Sequence, residues 1–200
     1  LGVNLRSYRA EKLSAFVHAL LTFDKEKASK LYFEIKDKYP IVLTRDLETA
    51  KSWLKIRDRG DERIGFLATK EAARIKPLMH ILPSDDKNVV NWFLKDKNDV
   101  HSSNYLEDAA TEIQVQGLEL DYAGVLWDAD VRCENDDWQF YYFNQQKSEW
   151  KPEPNPENKK YMLNAYRVIL TRARAGMVIC IPNGNTNKTS TGYWEDSTRK

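Results

Sequence analysis

Residues 41–68 read IVLTRDLETAKSWLKIRDRGDERIGFLA, and this stretch decides the class of fold. The runs at 41–43 and 63–68 are short and mostly apolar, which is typical of buried strands. The segment between them has apolar residues at helical spacing, and Thr44 or Asp46 can cap the helix that they predict. A strand, a helix and a second strand in this order predict a right-handed crossover between parallel strands.

The same alternation extends to both sides of this stretch. Upstream, apolar spacing predicts a helix with its buried face at 13–21 and a second helix within 24–40. Downstream, a short helix is predicted at 69–76, and buried strands are predicted at 122–127 and 176–181. We therefore predict an α/β fold with a mostly parallel sheet flanked by helices.

Residues 128–160 break this alternation. An acidic cluster, interpreted as a solvated turn, is followed by an aromatic run at 138–150 and by a proline-rich stretch. We predict a small antiparallel β insertion at about 128–155, with the aromatic rings on the buried face of a hairpin. As alternatives, the carboxylates could bind Mg²⁺ or Ca²⁺, and the rings could stack on bases of a single strand. The acidic residues are Asp128, Asp130, Glu134, Asp136 and Asp137.

The helix predicted before the last strand has clear start and stop signals. Asn155 can cap its N-terminus, and Pro156 suits the first helical position because its missing N–H would be unpaired there. Gly176 is the predicted exit. In the plain structural interpretation, Arg172 and Arg174 are cations that stabilise the C-terminal end of this helix.

Composition narrows the possible partners and locations. The 31 basic and 30 acidic residues give a net charge of +1, which excludes nucleic-acid binding by a strongly basic tail. Cys133 and Cys180 are too few for a disulfide scaffold or a thiolate zinc site. Without an apolar run of membrane length or a signal peptide, we expect a cytoplasmic protein and no membrane partner. One domain is predicted over 1–182, with 183–200 as a loop or flexible tail.

Three stretches together carry a resemblance to a known family. They are NLRSYRAE at 4–11, TEIQVQGLELD at 111–121 and NAYRVILTRAR at 164–174. In this order they resemble the motor motifs of superfamily-one helicases. Residues 1–182 as a whole look like the second RecA-like half of the bacterial Schlafen-type DNA/RNA helicase domain. The resemblance implies a RecA-like fold of the P-loop NTPase type, which agrees with the predicted parallel sheet.

The resemblance assigns roles to several arginines. Arg172 matches the arginine finger of the family, and Arg9 matches the arginine of an N-terminal Tyr-Arg motif that reaches the γ-phosphate. Arg6, one turn away, competes with Arg9 for this role, and Arg174 is expected to form an ion pair or to support the finger. Arginine suits such roles because it stays protonated and its planar fork matches phosphate oxygens.

The QGLELD stretch matches family positions that lie at the nucleotide, namely Gln116, Gly117 and Glu119. Glycine allows a close backbone approach, and a glutamate can accept hydrogen bonds from ribose hydroxyls or hold an arginine. Since open parallel sheets bind ligands at the carboxyl ends of their strands, we expect Arg9, Arg172, Gln116 and Glu119 to converge at that edge.

The nucleic-acid part of the same motif departs from the commoner helicase pattern. Thr111 matches the position whose hydroxyl holds a nucleic-acid phosphate. Ile113 stands where a histidine is frequent in the family, and Gln114 stands where a serine is frequent. The resemblance therefore implies DNA or RNA as a partner through Thr111, without distinguishing between the two polymers.

ATP hydrolysis also requires groups that this sequence does not contain. No G-x-x-x-x-G-K-[ST] loop occurs in these 200 residues. The resemblance places that loop and the Mg²⁺-binding acid in an N-terminal RecA-like half, so we expect a C-terminal motor half that is inactive alone and uses ATP and Mg²⁺ only with that partner. Two alternatives stay open: a binding or scaffold module without ATPase activity, and a metal-dependent nuclease that uses Glu34 and Lys36.

Overall fold

The computed structural model describes residues 2–83 and 85–183; the tail predicted from 183 onward lies outside them apart from its first residue. These residues form five α-helices and nine β-strands. Their order is α1 (Gly2–Leu21), α2 (Lys25–Ile35), β1 (Ile41–Thr44), α3 (Leu47–Lys55), β2 (Ile64–Ala68), β3 (His80–Ile81), α4 (Asp86–Leu94), β4 (Asp108–Thr111), β5 (Leu120–Leu126), β6 (Val131–Glu134), β7 (Asp137–Asn144), β8 (Glu149–Pro152), α5 (Pro156–Leu170) and β9 (Ala173–Cys180).

One sheet of parallel strands organises the domain. Among the described residues it has six strands in the order β1-β9-β5-β2-β4-β3, and every neighbouring pair is parallel. The strands β9 and β5 lie between the crossover partners β1 and β2. The predicted α/β fold with a mostly parallel sheet is therefore confirmed.

The sheet buries both of its faces, as parallel sheets do. Along β9, Met177 and Ile179 point into a core shared with α1, α2 and α5, whereas Val178 and Cys180 point into a second core with α3. This alternation follows from the two-residue period of a strand. The run GMVICI is apolar throughout because both faces of β9 are covered.

Capping side chains fix the starts of three helices. The carboxylate of Asp24 accepts a hydrogen bond from the Lys27 N–H at 3.1 Å, and the carboxylate of Asp46 accepts one from the Thr49 N–H at 2.7 Å. Asn155 caps α5, with Pro156 at the first helical position. These caps confirm the predicted starts and place β1 and α3 where the sequence pattern put them.

The helix predicted at 69–76 is not present. The segment forms turns instead, and the backbone N–H and side chain of Arg74 both donate hydrogen bonds to Asp128. A tertiary partner thus replaces the intrahelical bonds that the local sequence pattern favoured.

The predicted exit of α5 at Gly176 is also wrong. The helix ends at Leu170, and the hydroxyl of the C-capping Thr171 donates a hydrogen bond to the Arg167 carbonyl at 2.8 Å. Gly176 lies within β9, where a Cβ would come 2.9 Å from the Pro40 carbonyl oxygen. A glycine is needed for this close approach. Because α5 ends at Leu170 and β9 begins at Ala173, Arg172 lies in the turn between them and Arg174 lies in the strand.

The predicted antiparallel insertion is present between β5 and α5. Strands β6, β7 and β8 form a sheet in which both pairs are antiparallel. Asn135 and Asp136 have φ values of 51° and 60°, the left-handed conformation that a two-residue hairpin turn requires. Trp138 and Phe140 pack against the main core, as predicted for the buried face of a hairpin.

Candidate functional site

A groove of about 800 Å³ opens at the amino ends of β1, β9 and β5. Its walls come from α1, from the C-terminal end of α5 and from the turns that precede β5 and β9. This volume lies within the range of small-molecule sites in proteins. The charged residues that line the groove are Arg9, Glu119, Asp121, Arg167, Arg172 and Arg174.

The groove lies at the opposite edge of the sheet from the one predicted. Glu119 directly precedes Leu120, the first residue of β5, and therefore lies at the amino end of a strand. Arg172 likewise directly precedes β9. Of the four residues expected to converge, Arg9, Arg172 and Glu119 line this groove, whereas Gln116 does not.

The two carboxylates of the groove are both directed at one arginine. Arg174 Nη2 donates a hydrogen bond to Asp121 Oδ1 at 2.8 Å, and Arg174 Nε lies 3.9 Å from Glu119 Oε2. This arrangement confirms the predicted ion pair of Arg174. The two carboxylates therefore pair with Arg174 and not with the other arginines of the groove.

Arg172 and Arg9 face the groove with few interactions of their own. Arg172 is half-buried, and its Nε donates a hydrogen bond to the Val168 carbonyl at 3.2 Å. Within residues 2–83 and 85–183, neither Arg172 nor Arg9 forms an ion pair with a carboxylate. Arg167 adds a third positive charge and donates a hydrogen bond to the side-chain oxygen of Asn164. The groove therefore carries more positive than negative charge, which suits an anionic ligand.

Two other predicted site residues lie outside the groove lining. Gln116 and Gly117 are exposed in the turn between β4 and β5, and Gly117 has a φ of 81° with open space around its Cα. Its glycine is explained by this backbone conformation. Arg6 belongs to α1, but its side chain is outside the part of the chain that the structure describes.

Thr111 lies at the other edge of the sheet, at the carboxyl end of β4. It is buried, and both its backbone N–H and its hydroxyl lie within hydrogen-bonding distance of Gln114 Oε1, at 2.8 and 3.2 Å. The Thr111 hydroxyl is therefore within reach of Gln114. Thr111, which we expected to contact a nucleic-acid phosphate, lies at the opposite edge of the sheet from the arginine-lined groove.

The acidic cluster after β5 is solvated only in part: Asp136 and Asp137 are exposed, as predicted, whereas its first two residues are buried. Asp128 and Asp130 are each only 1% exposed. Arg74 Nε donates a hydrogen bond to Asp128 Oδ1 at 3.0 Å, and its Nη1 donates one to the Pro182 carbonyl at 3.0 Å. The arginine that is buried with Asp128 therefore lies 54 residues away from it in sequence.

Asp130 lacks a cation of its own in this buried cluster. It accepts hydrogen bonds from the Tyr166 hydroxyl at 2.6 Å and from the Thr69 hydroxyl at 3.2 Å. Burial, together with the nearby carboxylate of Asp128, raises the pKa of Asp130 to about 7. Burial raises the pKa of Asp128 as well, although its ion pair with Arg74 opposes that rise, so the two carboxyl groups titrate together.

The nuclease and metal-binding alternatives gain no support. Glu34 on α2 pairs with Lys12 at 2.5 Å, and Lys36 Nζ lies 4.8 Å from the centre of the Phe33 ring. Both are contacts between side chains at the surface of the domain. In the described part of the chain, no group of three or more His, Cys, Asp or Glu residues is arranged to hold a metal ion. None of the described helices is long and apolar enough to cross a membrane.

Sequence reasoning did not single out Arg167 and Asp121 as groove residues, although each lies within a motif that it quoted. The fold and this groove define a parallel α/β domain with an arginine-lined groove at the amino ends of its strands. The chain belongs to the Schlafen group 3 DNA/RNA helicase domain family, whose sequence model matches residues 1–183. Comparisons with curated proteins and with solved structures give no significant match.

Proposed function

We propose that this domain is the C-terminal RecA-like half of an ATP-dependent DNA or RNA helicase or translocase. In this proposal the groove receives the phosphates of ATP, while an N-terminal RecA-like half of the same protein supplies the phosphate-binding loop and the acid for Mg²⁺. One observation carries the proposal. Arg9 and Arg172 come from separate elements to one groove whose carboxylates, Glu119 and Asp121, are both directed at Arg174.

The chemistry of phosphoryl transfer explains why such a groove is useful. Negative charge spreads over the oxygens of the transferred phosphoryl group, and an arginine directed at that charge can accelerate the reaction by ~10³–10⁵. In the proposal Arg172 is this finger, Arg9 is a second γ-phosphate contact, and Arg6 is the alternative to Arg9. Gln116, Gly117 and Glu119 would lie near the rest of the nucleotide.

The decisive experiment is an ATPase assay on the protein that contains both halves. Arg172→Ala should lower turnover by ~10³-fold or more while changing nucleotide affinity much less, because the finger acts mainly on the transition state. Arg59→Ala is a matched control, since Arg59 Nε also donates to a backbone carbonyl, that of Ile56 at 3.1 Å, away from the groove. Unchanged turnover in Arg172→Ala would contradict the proposal.

A second assay tests the division of labour between the halves. The 200-residue chain alone should bind ATP weakly and should not turn it over, because it has no G-x-x-x-x-G-K-[ST] loop. Turnover by this chain, abolished by Arg172→Ala, would show that the site is complete and would refute the two-half proposal. We also propose a cytoplasmic location, which the free thiols of Cys133 and Cys180 support.

A further inference from the structure

A second cluster of residues lies at the carboxyl edge of the sheet, away from the groove. Lys70 follows β2, Glu112 follows β4, and Tyr161 lies in the first half of α5. Glu112 is only 3% exposed, and each of its oxygens accepts a hydrogen bond: Oε1 from the Tyr161 hydroxyl and Oε2 from the Lys70 N–H, both at 2.9 Å. A buried carboxylate therefore ties two separate elements together.

The groups that this carboxylate holds are themselves exposed. Tyr161 is 40% exposed although its hydroxyl is anchored, and Lys70 Nζ lies 4.6 Å from the centre of the Tyr161 ring. Ile113, next to Glu112 in sequence, exposes 51% of its surface. Burial, followed by the hydrogen bond to Glu112, raises the pKa of Tyr161 to about 12.

An anchored ring beside a lysine suits one kind of ligand particularly well. Aromatic side chains stack on the bases of single strands, and lysines neutralise the phosphates between those bases. Because Glu112 holds the Tyr161 hydroxyl, the ring loses little conformational freedom when a base stacks on it. Lys70 Nζ lies 3.8 Å from the Glu71 carboxylate, and an exposed pair at this distance is weak enough for a phosphate to replace it.

We propose that Lys70 and Tyr161 form a contact site for single-stranded nucleic acid, in which Tyr161 stacks on a base and Lys70 binds an adjacent phosphate. The inference rests on the proposed function for the identity of the polymer. It adds Lys70, in the loop after β2, and Tyr161, in α5, to the nucleic-acid contact that the helicase resemblance implied for Thr111.

The chain contains a matched control pair. Lys55 Nζ lies 6.0 Å from the centre of the Tyr105 ring, and Tyr105 is 41% exposed, close to the value for Tyr161. However, Lys55 Nζ donates a hydrogen bond to the Asn104 carbonyl at 2.6 Å, so its charge is already occupied. Tyr105→Ala thus removes an exposed tyrosine with a neighbouring lysine but no available cation.

The experiment measures fluorescence anisotropy of a labelled single-stranded oligothymidylate of about 20 nucleotides, long enough to cover one binding site. Tyr161→Ala should raise the Kd by roughly 5- to 150-fold, the loss of one stacked base. Tyr161→Phe keeps the ring and should bind more tightly than Tyr161→Ala. Lys70→Ala should lower the slope of log Kd against log salt concentration by the amount that one phosphate contact contributes. Tyr105→Ala should bind like the unaltered chain.

The outcomes separate this inference from the proposed function. If the unaltered chain binds the oligonucleotide and Tyr161→Ala binds equally well, the contact site is wrong and the proposed function stands. If the unaltered chain does not bind, both the contact site and the nucleic-acid part of the proposed function fail, whereas the ATPase test of Arg172 remains separate. Should Tyr161→Ala fail to fold in a thermal melt, the salt slope of Lys70→Ala decides: an unchanged slope overturns the proposal.

Discussion

Two arginines at opposite edges of one sheet have contrasting surroundings. Arg74, at the carboxyl edge, is 3% exposed and donates hydrogen bonds to the Asp128 carboxylate and to the carbonyls of Trp127 and Pro182. Arg172, at the amino edge, is half-buried and donates to the Val168 carbonyl alone among the described residues. The guanidinium of Arg74 is therefore used by the fold, whereas most of the donors of Arg172 are left for a ligand.

The inserted β sheet explains much of this difference. It follows β5 at the carboxyl edge, and the Tyr141 N–H of β7 donates a hydrogen bond to the Asp130 carbonyl at 2.8 Å, which closes the insertion over the acidic cluster. No inserted element covers the described part of the amino edge, where the groove stays open between α1 and α5. The edge of a parallel sheet at which ligands are expected is, in this domain, partly filled by its own chain.

The largest expected effect tests the committed arginine. Arg74→Ala should lower the free energy of unfolding by about 3–5 kcal/mol, because it leaves the carboxylate of Asp128 buried without a counterion. Urea unfolding of the isolated chain measures this loss. Arg59→Ala, on the surface, serves as the control. A loss below about 1 kcal/mol for Arg74→Ala would mean that the buried pair contributes little and that the contrast with Arg172 is only apparent.

The pH dependence of the free energy of unfolding tests Asp130, the second carboxyl group of the buried cluster. The pKa of Asp130 is raised from 3.8 to about 7 in the folded chain, so the folded state binds the extra proton between these values. The Asp130 contribution should therefore lower stability as pH rises from about 4 to 7, by up to about 4 kcal/mol, and should stay constant above pH 7.

Unfolding curves of the unaltered chain and of Asp130→Asn between pH 4 and 8 isolate this contribution. The difference in stability between the two proteins should change with pH in that window, since the amide does not titrate. Asp136→Asn is the control: Asp136 is exposed and pairs with Lys25, so removing its charge should not reproduce the trend. Parallel pH profiles for the unaltered chain and Asp130→Asn would show that Asp130 is ionised throughout.

The smallest expected effect belongs to the available arginine. Arg172→Ala should change the stability of the isolated chain by no more than about 0.5 kcal/mol, as for ordinary surface substitutions. The same urea unfolding measurement made for Arg74→Ala provides the comparison. If Arg172→Ala destabilised the chain by several kcal/mol while sparing ATPase activity in the two-half protein, Arg172 would be a structural residue and the proposed finger would be wrong.

Much of the fold could be predicted because its signals are local. Helix caps such as Asp46 and Asn155 act within one turn, and the periodicity of apolar residues reports which faces are buried. The hairpin insertion followed from its change in texture, and the motif stretches were sufficient to place the chain in its helicase domain family. The groove residues Arg9, Arg172 and Glu119 came from the same motifs, although the catalytic roles of the two arginines and the nucleotide contact of Glu119 stay predictions.

The sequence by itself thus determined the alternating α/β order, the inserted sheet, the family and the short list of arginines that could meet a nucleotide. Only the tertiary structure decided that Asp128 and Asp130 are buried, that Gly176 belongs to a strand beside Pro40, and that the groove lies at the amino edge. The physical reason is the same in each case. These properties depend on partners that the fold brings from distant positions, as when Arg74 lies 54 residues from Asp128, and no local pattern encodes such a contact.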